Sequence, residues 1–122
     1  MVDHENLFVI SSDFCHWGKR FSFTPYDQSA GKIFQSIERM DRRGMSIIEE
    51  MNPQKFVSYL KETKNTICGR HPIAVFLQAV LALQEKNVPH IIEFTKYAQS
   101  SQCVDLEDSS VSYASAICYL AD

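Results

Sequence analysis

Leu7-Phe8-Val9-Ile10-Ser11-Ser12-Asp13-Phe14-Cys15-His16-Trp17-Gly18 is the stretch on which the fold turns. Its first four residues form an unbroken apolar run bounded by polar ones, the character of a strand buried on both faces. Polarity arrives abruptly at Ser11-Ser12-Asp13, so the residues that follow belong at the strand's carboxyl end. Ligands gather at that end in α/β folds. Asp13 and His16 are spaced to share one pocket as an acid and a base. A structural use is the alternative: Asp13 can cap the turn through local backbone N–H groups, and His16 can pack on Trp17.

Working outward, Phe14 to about Gln28 reads as a long loop rich in aromatics, of the kind that tends to be functional or to pack as a compact surface unit. Ile33, Phe34, Ile37, Met40, Met45, Ile48 and Met51 then recur at helical spacing, one apolar stripe with an interruption expected at Gly44. Asn52 is placed to cap a second helix that has Pro53 at its first position and Phe56, Val57 and Leu60 on its buried face. A third helix is expected from Pro72 to about Gln84, with Val75, Phe76, Ala79, Val80 and Leu83 at core spacing. Ile91 to Tyr97 has strand composition. The last strand, about Val111 to Leu120, alternates bulky Val111, Tyr113, Ile117 and Tyr119 with small Ala114, Ala116 and Cys118, leaving one face that a helix could approach closely. Strand, helices and two strands predict an α/β fold, a mixed sheet flanked by helices. Three strands are few for such a sheet, and the first would lie almost at the chain start with nothing to cover it. The expectation is that the N-terminal portion of the domain is missing.

The chain has 122 residues, enough for one domain with a core. A net charge of -3 argues against a nucleic-acid surface, which needs clustered Lys and Arg. Arg39, Arg42 and Arg43 alternate with Glu38 and Asp41 and read together as a solvated helix face. No apolar run reaches the roughly 20 residues of a membrane span, so membrane insertion is not expected. The first residues, Met-Val-Asp-His-Glu-Asn, lack the basic start of a secretory signal. Cys15, Cys68, Cys103 and Cys118 are spaced without any CxxC pair, as free thiols of a reducing compartment would be. The expected location is the cytoplasm, with the nucleus left open.

A second constellation is Thr66-Ile67-Cys68-Gly69-Arg70-His71-Pro72. With a helix starting at its end, free N–H groups and the positive end of the helix dipole face this loop. A thiol beside Arg70 and His71 is there available as a thiolate ligand or a nucleophile. The alternative is a small inert Cys beside a capping His, with Arg70 in an ion pair. The hydroxyl- and amide-rich turns Tyr97–Cys103 and Asp108–Tyr113 are explained by turn chemistry. No P-loop, GxGxxG, HExxH or nucleophile elbow is present.

Five strings in order, SSDFCHWG (residues 11–18), GMSIIEEMNP (44–53), NTICGRHPI (65–73), YAQSSQC (97–103) and DSSVSYA (108–114), resemble the Memo family, the mediator-of-cell-motility group. The resemblance runs from about Leu7 to Ala114 and implies that residues 1–122 are the C-terminal part of a single Memo-like domain. It implies the fold of the class III extradiol dioxygenases, and a metal pocket made by two histidines and a cysteine. The cysteine matches Cys68; the two histidines belong to the part absent from this chain, so the site here would be incomplete. His16 matches the acid–base histidine of the dioxygenases, with Asp13 beside it, which makes the two the expected catalytic residues. Thiolate and imidazole ligands suit copper or iron, expected in the full-length protein. The chain departs from the family at Ala114-Ser115-Ala116, where a glycine is usual, and in its tail.

Two functions of different class follow. One is a signalling and cell-motility mediator whose pocket binds phosphotyrosine peptide of a receptor or adaptor, with His16, Arg70 and His71 donating to the phosphate and Trp17 as an aromatic wall. The other is a copper- or iron-dependent redox enzyme; a thiolate in place of the dioxygenases' carboxylate argues against ring cleavage. A truncated product with no function of its own is the third, blander reading.

Overall fold

A computed structural model describes residues 9–121. The chain runs β1 (His16–Trp17), two short 3-10 turns (Lys19–Phe21 and Gln28–Ala30), α1 (Ile33–Glu49), α2 (Pro53–Thr63), α3 (Arg70–Glu85), β2 (His90–Gln99) and β3 (Ser110–Leu120). The expected strand at Leu7–Ile10 falls half outside the described residues. Val9 and Ile10 lie in no strand, and Val9 is 81% exposed. Strand pairing begins later, at His16.

The three strands are ordered β1-β3-β2. His16 faces Val111 across one pair, and His90 faces Leu120 across the other, with a bulge between Phe94 and Lys96. Both pairings are antiparallel, so the described sheet is not the mixed sheet expected. The reason is local: β2 and β3 are consecutive strands joined by the loop 100–109, which returns the chain alongside itself.

Strand alternation then divides the hairpin. Ile92, Phe94, Tyr97, Ala114 and Cys118 turn toward the helices, and the small residues of β3 give the helices room, as their alternation implied. Ile91, Tyr113, Ile117 and Tyr119 stand on the other face and are exposed.

The helices form as the stripe predicts, with three corrections, the first being that Val57, expected on the buried face of α2, is 42% exposed. α1 passes through Gly44 unbroken. A Cβ at that position would sit 2.8 Å from the Tyr59 ring, so the glycine is where α2 crosses close to α1, not where α1 stops. α3 starts at Arg70, two residues before Pro72, and buries only Leu77 and Val80 fully; Val75, expected in the core, is 69% exposed. Its outer flank has no neighbour among the described residues. α2 is capped as expected, Asn52 Oδ1 accepting from the Lys55 N–H at 3.1 Å.

The core has two parts. Phe14, Met45, Ile48, Phe56, Tyr59, Ile67, Leu77 and Ile92 pack between the helices and the sheet. Cys15, Trp17, Ile33, Ile37 and Cys103 make a smaller cluster under the first loop. The candidate site lies where the segment 12–16 and the loop 65–69 meet.

Candidate functional site

Asp13 and Cys68 are 55 positions apart in sequence, yet the Asp13 N–H donates to Cys68 Sγ at 3.2 Å. The approach is made by Ser12 and Gly69. The Gly69 N–H donates to Ser12 Oγ at 2.8 Å, and that hydroxyl donates to Asp13 O at 2.8 Å. A Cβ at Gly69 would lie 2.4 Å from Ser12 Cβ and 3.0 Å from Ser11 O, so only glycine lets the two segments come this close. Thr66 fixes the other side: the His16 N–H donates to Thr66 Oγ1 at 2.6 Å, and the threonine hydroxyl donates to His16 O at 3.1 Å.

The result is a cluster of three ligating side chains. Asp13, His16 and Cys68 offer a carboxylate oxygen, an imidazole nitrogen and a sulfur, all within 4.8 Å of one another. His16 Nε2 is buried and has no hydrogen-bond partner among the described residues. Asp13 Oδ2, at 4.0 Å, is beyond hydrogen-bond reach of it. A ring nitrogen left unpaired in this way costs free energy unless something binds it. Phe21 packs edge-on against the imidazole, 5.1 Å between centroids, and holds the ring's orientation. Tetrahedral ligand atoms at roughly 2.0–2.3 Å from one ion are about 3.3–3.8 Å apart, so atoms that lie within 4.8 Å of one another would have to close by up to about 1 Å to hold a metal.

Of the other residues expected at the site, Trp17 is fully buried in the smaller core cluster, its indole N–H donating to Pro25 O at 2.8 Å. It is a core residue, not an exposed wall. Arg70 and His71 are exposed at the start of α3, and one guanidinium N–H of Arg70 donates to Ile67 O at 3.2 Å. Beside Ser12, an apolar cleft of about 180 Å³ opens between α3 and the hairpin.

One residue went unread in the sequence. Asp41, assigned with its neighbours to a solvated face, is completely buried. The arginines around it are indeed at the surface: Arg42 pairs with Glu38, Arg39 with Asp27 and Arg43 with Glu62. Asp41 itself continues the stripe Ile33, Ile37, Gly44, Ile48, all buried on one side of α1. That helical register was the signal available for it. Its Oδ1 accepts from the Cys15 N–H at 3.3 Å and from Asn65 Nδ2 at 2.9 Å, and its Oδ2 accepts from the Tyr97 phenol at 2.6 Å. Burial raises the pKa of this carboxyl, and hydrogen bonds from Ser112, Tyr97, Asn65 and the Cys15 N–H oppose the rise. Burial likewise pushes the Cys15 thiol and the Tyr97 phenol up, with the negative Asp41 adding to both.

Comparison with known proteins bears on what this cluster is. The family model described as Memo-like protein matches residues 1–117. Protein MEMO1 of Xenopus laevis is 59% identical over 114 residues, which cover 93% of this chain and 38% of that protein. Protein MEMO1 of Homo sapiens is 56% identical with the same coverage. Protein memo-1 homolog of Caenorhabditis elegans is 52% identical, over 98% of this chain and 35% of its own length. The chain thus spans little more than a third of the length of these relatives.

Proposed function

The chain belongs to the Memo family, and from that membership we propose that it is the C-terminal part of a single Memo-like domain in a signalling and cell-motility mediator, with a metal-binding pocket at Asp13, His16 and Cys68. One observation carries the pocket: three ligating atoms of different chemistry converge from two loops, and the imidazole nitrogen is buried without a partner among the described residues. The Cys68 thiolate and the His16 imidazole suit copper or iron, with the Asp13 carboxylate as a third donor. Further ligands, as in the family pattern, would come from outside this chain. The dioxygenase-like arrangement of sheet and helices belongs to the same reading.

Either ion, when bound, supplies Lewis acidity and one-electron redox chemistry. The chain's own residues do the rest. The Asp13 N–H, 3.2 Å from Cys68 Sγ, stabilises negative charge on the sulfur. Thr66, bonded to both the N–H and the C=O of His16, prevents that residue from turning away. The Asp13 carboxylate, 4.0 Å from His16 Nε2, is placed to serve the same ion as the imidazole.

Cobalt(II) titration tests the pocket through the thiolate-to-metal absorption band. Wild-type chain should develop the band and Cys68→Ser should lose it, with about tenfold or greater loss of affinity. Unchanged affinity in Cys68→Ser would remove the ligand assignment.

The exposure of Arg70 and His71 at the start of α3 favours a second reading, the recognition of phosphotyrosine peptide. Titration with a phosphotyrosine peptide separates the two. Arg70→Ala should weaken that binding while Cys68→Ser spares it; binding indifferent to Arg70→Ala would dispose of the second reading.

A further inference from the structure

A carboxylate buried without a cation is costly, and Asp41 has no ion pair among the described residues. Its neighbours show what the cost supports. The oxygen that takes the Cys15 N–H also takes Asn65 Nδ2. Cys15 precedes His16, and Asn65 precedes Thr66, the residue that grips His16 from the opposite loop. Both segments that supply the site are therefore tied to one oxygen atom. The other carboxylate oxygen reaches the sheet through Tyr97, whose phenol oxygen also accepts from Gln99 Nε2 at 3.0 Å and has Ser112 Oγ at 3.1 Å. Asn65 Nδ2 spends its second proton on the Tyr59 phenol at 2.9 Å, and that phenol donates to Met40 O at 2.6 Å, back on α1. The network is closed. Rotation of any one member is opposed by the rest.

We propose that Asp41 is a positioning residue for the Asp13–His16–Cys68 cluster: its carboxylate, held by α1 and the sheet, sets the distance between the loop that carries His16 and the loop that carries Cys68. The metal-binding part of this proposal rests on the pocket reading above; the loop-positioning part does not. Outer partners of metal ligands act in this way, by orienting the groups that touch the ion. No other described side chain from outside the two segments bonds to both of them through a single atom.

The test uses the full chain with Asp41→Asn, which keeps the shape but removes the charge and one acceptor, and Asn65→Ser, which removes the tether from Asp41 to the loop 65–69 together with the Asn65–Tyr59 bond. Val80→Ala, a fully buried change in α3 outside the network, is the control for general loosening. Two readouts are taken on protein shown to be folded by Trp17 fluorescence. One is cobalt(II) affinity with the ligand-field spectrum. The other, on metal-free protein, is hydrogen exchange at the His16 and Gly69 amides, one from each segment. Asp41→Asn should weaken cobalt(II) by roughly tenfold to a hundredfold and alter the spectrum. It should speed exchange at both amides together, with Asn65→Ser shifting each in the same direction by less. Val80→Ala should leave the spectrum and the two amides unchanged relative to the rest of the chain. Unaltered amides in folded Asp41→Asn, or the same changes in Val80→Ala, overturns the proposal. If Asp41→Asn does not fold, Asn65→Ser alone decides on the same readouts. Wild-type chain that binds no cobalt(II) removes the metal reading, and the two amides then decide the role of Asp41 by themselves.

Discussion

Gly69 shows how much a single position carries. Its missing side chain lets the Cys68 loop approach Ser12 closely enough for the Gly69 N–H to reach the serine hydroxyl at 2.8 Å. Gly69→Ala would force a Cβ to within 2.4 Å of another Cβ. The segments must part, at a cost of about 1–3 kcal/mol typical of overpacking. Urea unfolding followed by Trp17 fluorescence should read that loss, and cobalt(II) affinity should fall with it. Thr66→Val is the complementary change: it keeps the shape and deletes both bonds to the His16 backbone, so the same affinity should fall while the fold stays intact.

Among the elements, α1 and the hairpin make opposite points about apolar residues. Gly44→Ala in an ordinary helix would gain about 1 kcal/mol from propensity. Here the new methyl meets a tyrosine that is 1% exposed and hydrogen-bonded to Met40 O and Asn65, so the ring cannot yield. Net destabilisation of about 1–2 kcal/mol is expected in the unfolding midpoint. In β2 and β3 the face decides. Ile92→Ala, on the helix side and 7% exposed, should cost about 2–5 kcal/mol. Ile117→Ser, on the outer face and 52% exposed, should change stability by no more than about 0.5 kcal/mol. A large loss from Ile117→Ser would mean that the outer face is covered in solution.

For the whole molecule, pH has a definite sign. The Cys15 thiol and the Tyr59 and Tyr97 phenols are buried in one network, and burial holds their pKa values above the ordinary 9.0 and 10.0. Above those values the unfolded chain sheds protons that the folded chain retains. The stability these groups contribute is complete below pH 9 and is lost as pH rises beyond it. Asp41 acts with the same sign from its ordinary 3.8 upward, since its carboxyl is also raised. The urea midpoint should therefore fall between pH 9 and 11, and fall less steeply in Tyr97→Phe. Trp17, the single tryptophan, reports it from the buried cluster beside the site.

Family membership, the three helices with the Asn52 cap, the second and third strands with the small face of β3, and the nearness of Asp13 to His16 were legible in the residues, because each rests on near neighbours or on a regular period. The unbroken course of α1 through Gly44 was not, since the reason for that glycine is a tyrosine on the next helix. Nor was the burial of Trp17, whose indole partner is a backbone carbonyl supplied by the course of the loop. Cys68 could be named from its string but not brought to Asp13; that contact depends on how two loops 55 positions apart pack. Asp41 marks the boundary most clearly. Its place on the apolar stripe of α1 was determined by the sequence alone, while its role as the common anchor of Cys15, Asn65 and Tyr97 exists only in the tertiary structure. Helical period is a property of neighbouring residues, whereas a closed hydrogen-bond network depends on where distant segments come to rest.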